Sequence, residues 1–135
     1  MRDYFELFPS LIDKIEKQKS FEKALKLITK FSYENLGNRS KARKKNNLKK
    51  KEKNQYACGS FILISSKKQI LIAPQNYARD QKYMLLNTNI GHPGWVIKNK
   101  RKLILTNTDK HKSFVRILKT FRAGSAIYAP IISKN

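Results

Sequence analysis

GHPGWVIKNKRKLILTNTDKHKSFVRILKTFRAGSAIYAPI, residues 91–131, changes its hydrophobic period repeatedly, and the order of those changes decides the fold. It opens on a turn, Gly91-His92-Pro93-Gly94, followed by the apolar Trp95, Val96 and Ile97. Leu103, Ile104 and Leu105 form a short strand-type run. Asp109 or Ser113 then caps a short helix with Phe114, Ile117, Leu118 and Phe121 on one face, and Gly124 ends the turn after it. Residues 125–132, SAIYAPII, read as a further strand.

Working outward, residues 56–65 (YACGSFILIS) and 69–73 (QILIA) are β-branched, apolar and separated by Ser66, Lys67 and Lys68. That pattern predicts a hairpin, closed at its far end by Pro74. Residues 76–89 are polar and ambiguous between states. Ser20 predicts the N-cap of a helix that buries Phe21, Ala24, Leu25, Ile28, Phe31 and Leu36, with Gly37 as its stop. Residues 1–19 form a helical lead with a break near Phe8, because Pro9 fits a first turn but not a helix interior. The expected fold class is α+β with an antiparallel sheet, and no internal repeat is visible.

The chain has 135 residues and a formal charge of +21, and one domain suits that length. Residues 1–38 contribute +1, 39–53 contribute +8 and 54–135 contribute +12. The densest run contains Arg39, Lys41, Arg43, Lys44, Lys45, Lys49, Lys50 and Lys51, the candidate nucleic-acid contacts, since cations that neutralise phosphates release counterions. It has no aromatic residue to stack on bases. Lysine far outnumbers arginine, with 23 against seven, so the charge also fits composition alone. The run reads as a solvated, disordered insert over about residues 38–55, with polyanion contact as a second role.

No apolar window is long enough for a membrane helix, and the start resembles no targeting peptide, so a soluble cytoplasmic protein is expected. The single cysteine, Cys58, excludes an internal disulfide and reads as a small buried hydrophobe. His92 and His111 are the two histidines, and no carboxylate pair, nucleophile triad or metal-ligand spacing accompanies them. We therefore expect no catalytic residues and no metal.

The quoted stretch, with its Gly91, Gly94, Trp95 and Val96, its Leu103 to Leu105 followed by Asn107 and Asp109, and its Ser125, Pro130 and Ile131, resembles the central part of a GAF domain. Residues 20–37 and 56–74 resemble that family's first helix and first hairpin, so the likeness spans residues 20–132. The resemblance implies a regulatory module whose sheet face binds a small ligand, such as a cyclic nucleotide, tetrapyrrole, haem or metabolite, and relays occupancy to an output domain. No motif in the chain selects among these ligands, and the cysteine pattern of the methionine-sulfoxide-reducing members is missing. Candidate lining residues are Phe61 and Leu63 on one strand face, with His92, Trp95 and Tyr128 near the mouth. The family's last strand and closing helix have no counterpart after residue 132. An incomplete sheet of this kind predicts self-association or completion by another chain.

Overall fold

A polar cap at Ser20 and the positive φ of Gly37 and Lys100 mark where helices start and stop. The structure, a computed structural model, describes residues 3–38, 53–54, 56–115, 121–122 and 124–133. Its contacts divide the chain into two compact units: Met1–Asn38, Tyr56–Ile62 and Ile70–Met84 make the first, and Arg39–Gln55, Leu63–Gln69 and Leu85–Asn135 the second.

In the first unit a 3-10 turn, Tyr4–Leu7, is capped by Asp3, whose carboxylate accepts from the Phe5 N–H at 3.0 Å. Helix α1, Phe8–Glu16, follows with Pro9 in its first turn, where the missing N–H would have had no helical partner. Helix α2, Phe21–Asn35, starts at the expected Ser20, whose hydroxyl accepts from Lys23 N–H. Gly37 stops it with φ +80, and a β-carbon there would also lie 2.7 Å from the Tyr56 hydroxyl oxygen. α1 packs on α2 through Phe8 and Phe31, with ring centres 5.6 Å apart.

The expected apolar face of α2 needs correction at both ends. Phe21 and Leu36 are exposed, because the first residue of the helix and the residue capping its end lie beyond its packed turns. The buried line is Leu25 and Thr29, one turn apart.

Strands β2, Cys58–Leu63, and β3, Lys68–Gln75, form the expected hairpin, closed by Ile64 N–H donating to Lys68 O at 3.1 Å. Ser65 holds the turn by accepting from the N–H groups of Lys67 and Lys68. Pro74 lies inside β3 rather than ending it. Ala73 just before it has φ +51, a local break in strand geometry of the kind that accommodates proline. The sheet order is β2-β3-β4, with β4 at Leu85–Asn87. Leu71 exchanges hydrogen bonds with Tyr83 and Met84, while Lys67 pairs with Thr88, so the two chains run antiparallel.

In the second unit the Gly91–Gly94 stretch is the first turn of helix α3, Gly91–Asn99, and not a turn ahead of it. Pro93 tolerates this because first-turn N–H groups need no helical acceptor. Lys100 ends the helix in a left-handed conformation, φ 51. Strand β5, Leu103–Leu105, matches expectation and pairs antiparallel with β7, Ala126–Tyr128, in the register Leu103 with Tyr128 and Leu105 with Ala126. Val96, Leu103 and Leu105 form the buried cluster, with Trp95, Ala126 and Tyr128 packed against it. The last strand is thus shorter than residues 125–132.

The helix expected after Asp109 is not formed over the described residues. Thr108–Lys110 is a 3-10 turn, and His111 and Phe114 donate backbone bonds three residues back, to Thr108 and His111. His111 Nδ1 accepts the Ser113 N–H at 3.2 Å, a local bond that competes with helix continuation. Phe121 belongs instead to strand β6, Phe121–Arg122, which pairs in parallel with β1, Lys53–Asn54. That parallel pair departs from an all-antiparallel arrangement, but the α+β class holds. The proposed nucleic-acid contacts between Arg39 and Lys51 lie outside the described residues, as does nearly all of the expected disordered insert. Among the described residues no helix is long and apolar enough to cross a membrane.

Candidate functional site

The N-terminal turn of α3 places one imidazole, that of His92, among the rings of His111, Phe114 and Tyr128. His92 is 8% exposed. Its ring centre lies 5.5 Å from that of His111, 5.7 Å from Tyr128 and 6.0 Å from Phe114. Trp95 meets His111 edge-to-face at 5.5 Å. Three elements supply these groups: α3 gives His92 and Trp95, the 3-10 turn and its exit give His111 and Phe114, and β7 gives Tyr128.

The two imidazoles differ in their polar partners. The Nε2 of His92 is buried without a hydrogen-bond partner. His111 Nδ1 sits 2.6 Å from the Ser113 hydroxyl and accepts from Ser113 N–H at 3.2 Å.

Burial is the main reason the His92 pKa falls below its ordinary 6.5; the neighbouring His111 lowers it further, and the Thr108 carbonyl opposes both. The folded protein therefore holds His92 neutral, whereas the unfolded chain binds a proton as pH falls through 6.5. This contribution to stability is fully present above that value and is lost as pH falls below it. Melting temperatures measured from pH 8 to pH 5 should drop on the acid side. His92→Phe should flatten that part of the profile, and an unchanged slope would refute the assignment. Burial likewise raises the Tyr128 pKa, keeping its hydroxyl protonated.

Of the five expected lining residues, the structure brings His92, Trp95 and Tyr128 into one group. Phe61 belongs to the first unit and is half-buried, and Leu63, at the end of β2, is 51% exposed. His111 and Phe114 join the group although the sequence assigned them no ligand role. No signal in the sequence pointed to this, because the segment read as a helix. Among the described residues no cluster of three or more His, Cys, Asp or Glu could hold a metal ion.

No family model matches the sequence, and no curated protein does. Solved structures do match in shape. The GAF domain of an Acinetobacter phosphoenolpyruvate-protein phosphotransferase aligns with a TM-score of 0.71 at 14% identity, over 99% of this chain and 71% of that one. The GAF domain of the corresponding Coxiella burnetii protein aligns at 0.64 and 18% identity, over 84% of this chain and 58% of that one. A free methionine-R-sulfoxide reductase from Neisseria meningitidis, in complex with its substrate, aligns at 0.69 and 13% identity, covering 96% and 65%. The chain spans less than two thirds of the length of two of these three. The class is an α+β domain with helices packed on antiparallel strands. Its fold is GAF-like.

Proposed function

We propose that the chain is a GAF-like regulatory module that binds a small molecule in signal transduction and has no catalytic activity of its own. The observation that carries this reading is the ring cluster at the start of α3, where the buried His92, its Nε2 without a partner, lies among His111, Phe114 and Tyr128. Small-molecule sites combine apolar and aromatic walls with a few placed polar groups of this kind. Thiol redox chemistry gains no support: burial raises the pKa of Cys58, outweighing its bonds to Ser32 and to the Gly59 backbone, so the unreactive thiol form is favoured. A thermal-shift panel of cyclic nucleotides, haem, linear tetrapyrroles and common metabolites tests the reading. A ligand present at a hundred times its Kd stabilises by about 2.7 kcal/mol. No shift with any member would leave a scaffold role.

The outer face of the β5–β7 pair supports a partner surface, either a second copy or an output domain on another chain. Ile104 and Ile127 sit directly opposite each other there, 60% and 75% exposed. Light scattering should detect association, and a clean monomer would count against it.

Polyanion association is the second reading. Lys98, Lys100, Arg101 and Lys102 stand exposed around the end of α3, which adds a described basic patch to the run at 39–53. Affinity for single-stranded RNA should fall steeply with salt. Binding insensitive to salt would remove this reading.

A further inference from the structure

Each unit of the chain exposes an apolar stripe, and the two stripes have borders of opposite charge. In the first unit Phe5, Phe8 and Ile12 follow at three- and four-residue steps along the 3-10 turn and α1, and all three are exposed, Phe5 by 79%. Phe5 and Phe8 meet edge-to-face at 5.8 Å. At about 100° per residue Glu16 falls one turn beyond Ile12 and Asp13 borders it, while Lys14 falls on the far side of the helix. Residues 3–16 hold four of the chain's nine acids, Asp3, Glu6, Asp13 and Glu16, against that one cation.

In the second unit Ile104 and Ile127 lie opposite each other on β5 and β7. Exposure alternates along β5, with Leu103 and Leu105 buried between the exposed Lys102, Ile104 and Thr106. Lys102 therefore shares the outer face with Ile104, about 6.6 Å along the strand. Lys98, Lys100 and Arg101 precede it, all exposed, and no acid occurs between Asp80 and Asp109. An occupant of this face must bring apolar side chains bordered by carboxylates.

We propose that the occupant is the Phe5–Ile12 stripe of a second copy of the chain, with Asp13 and Glu16 of α1 meeting Arg101 and Lys102. This rests on the reading of the β5–β7 face as a partner surface and names what covers it. A helix and a sheet pack together when each offers apolar surface. The opposite borders favour this pairing over face on face, which would bring like charges together. The charge of +21 does not forbid it, since in about 0.15 M salt charges more than about 8 Å apart are largely screened and the signs at the contact decide. Every copy carries both halves, so the partner is always present at the chain's own concentration.

Two charge reversals test this by light scattering on the full chain in the same salt, where the parent should self-associate. Asp13→Lys with Glu16→Lys puts cations on both surfaces, and Arg101→Glu with Lys102→Glu puts acids on both. Each variant alone should self-associate at least about tenfold more weakly. Mixed in equal amounts, the two should associate as tightly as the parent, because every helix then has a face of opposite sign to meet. All four positions are exposed and lie outside the described ion pair of Lys30 with Glu34, so urea midpoints should match the parent. A monomeric parent overturns the inference and leaves the face to a different chain. Association that Ile104→Glu abolishes and the helix reversal leaves unchanged would also overturn it, with the partner surface intact. Failure of the mixed variants to associate would do the same.

Discussion

Gly94→Ala is expected to destabilise the protein by about 2 kcal/mol or more, although alanine is the better helix former by about 1 kcal/mol. The reason is contact geometry. A β-carbon at Gly94 would lie 2.7 Å from Thr88 O and 3.1 Å from the Asn89 carbonyl carbon. Both are backbone atoms, so no rotamer change relieves the clash and the start of α3 must lift away. His92, two residues earlier in the same turn, would move with it. Urea unfolding should show the loss, accompanied by weaker ligand-induced stabilisation. Gly124→Ala is the control: nothing lies within 4 Å of its β-carbon position, and its stability should stay unchanged or rise slightly. Equal stabilities for the two variants would refute the close approach of α3 to residues 88–89.

Thr29→Val should cost about 2 kcal/mol despite nearly equal volume. Thr29 is 2% exposed, donates its hydroxyl proton to Ala73 O at 2.8 Å and accepts from Gln75 Nε2 at 3.2 Å. Valine would leave a carbonyl and an amide without these partners beside the helix. The carbonyl belongs to Ala73, whose φ of +51 is itself unfavourable by about 1 kcal/mol, so the hydroxyl also holds a strained point of β3 in place. Thr29→Ser retains both hydrogen bonds and loses one methyl, for about 1 kcal/mol. Serine should therefore be milder than valine in the same urea series. A valine variant as stable as the parent would show that the hydroxyl contributes nothing net.

Thr29 also marks where reading the sequence reaches its limit. Helical spacing identified α2 and its neighbours Leu25 and Ile28, but it gave no reason for a polar residue to sit at the helix's most buried position. That reason is the broken strand at Ala73, 44 residues away. The same holds for the segment after Asp109. Apolar residues at helical spacing suggested a helix, while local bonds around His111 and Ser113 favoured a tight turn and carried Phe114 to the imidazole of His92.

By itself the sequence determined the helix boundaries at Ser20 and Gly37, the hairpin around residues 64–68, the strand Leu103–Leu105 and the likeness to a GAF fold. Those features depend on residues within a few positions of one another, through caps, turn chemistry and side-chain period. Only the tertiary structure decided that Gly91–Gly94 is helical, that the ends of the α2 apolar face are exposed, and that His92, His111, Phe114 and Tyr128 share one cluster. Periodicity assigns a face but does not name what covers it. The partners of His92 come from two other elements separated in the chain, and Tyr128 among them packs on the Val96–Leu103–Leu105 core.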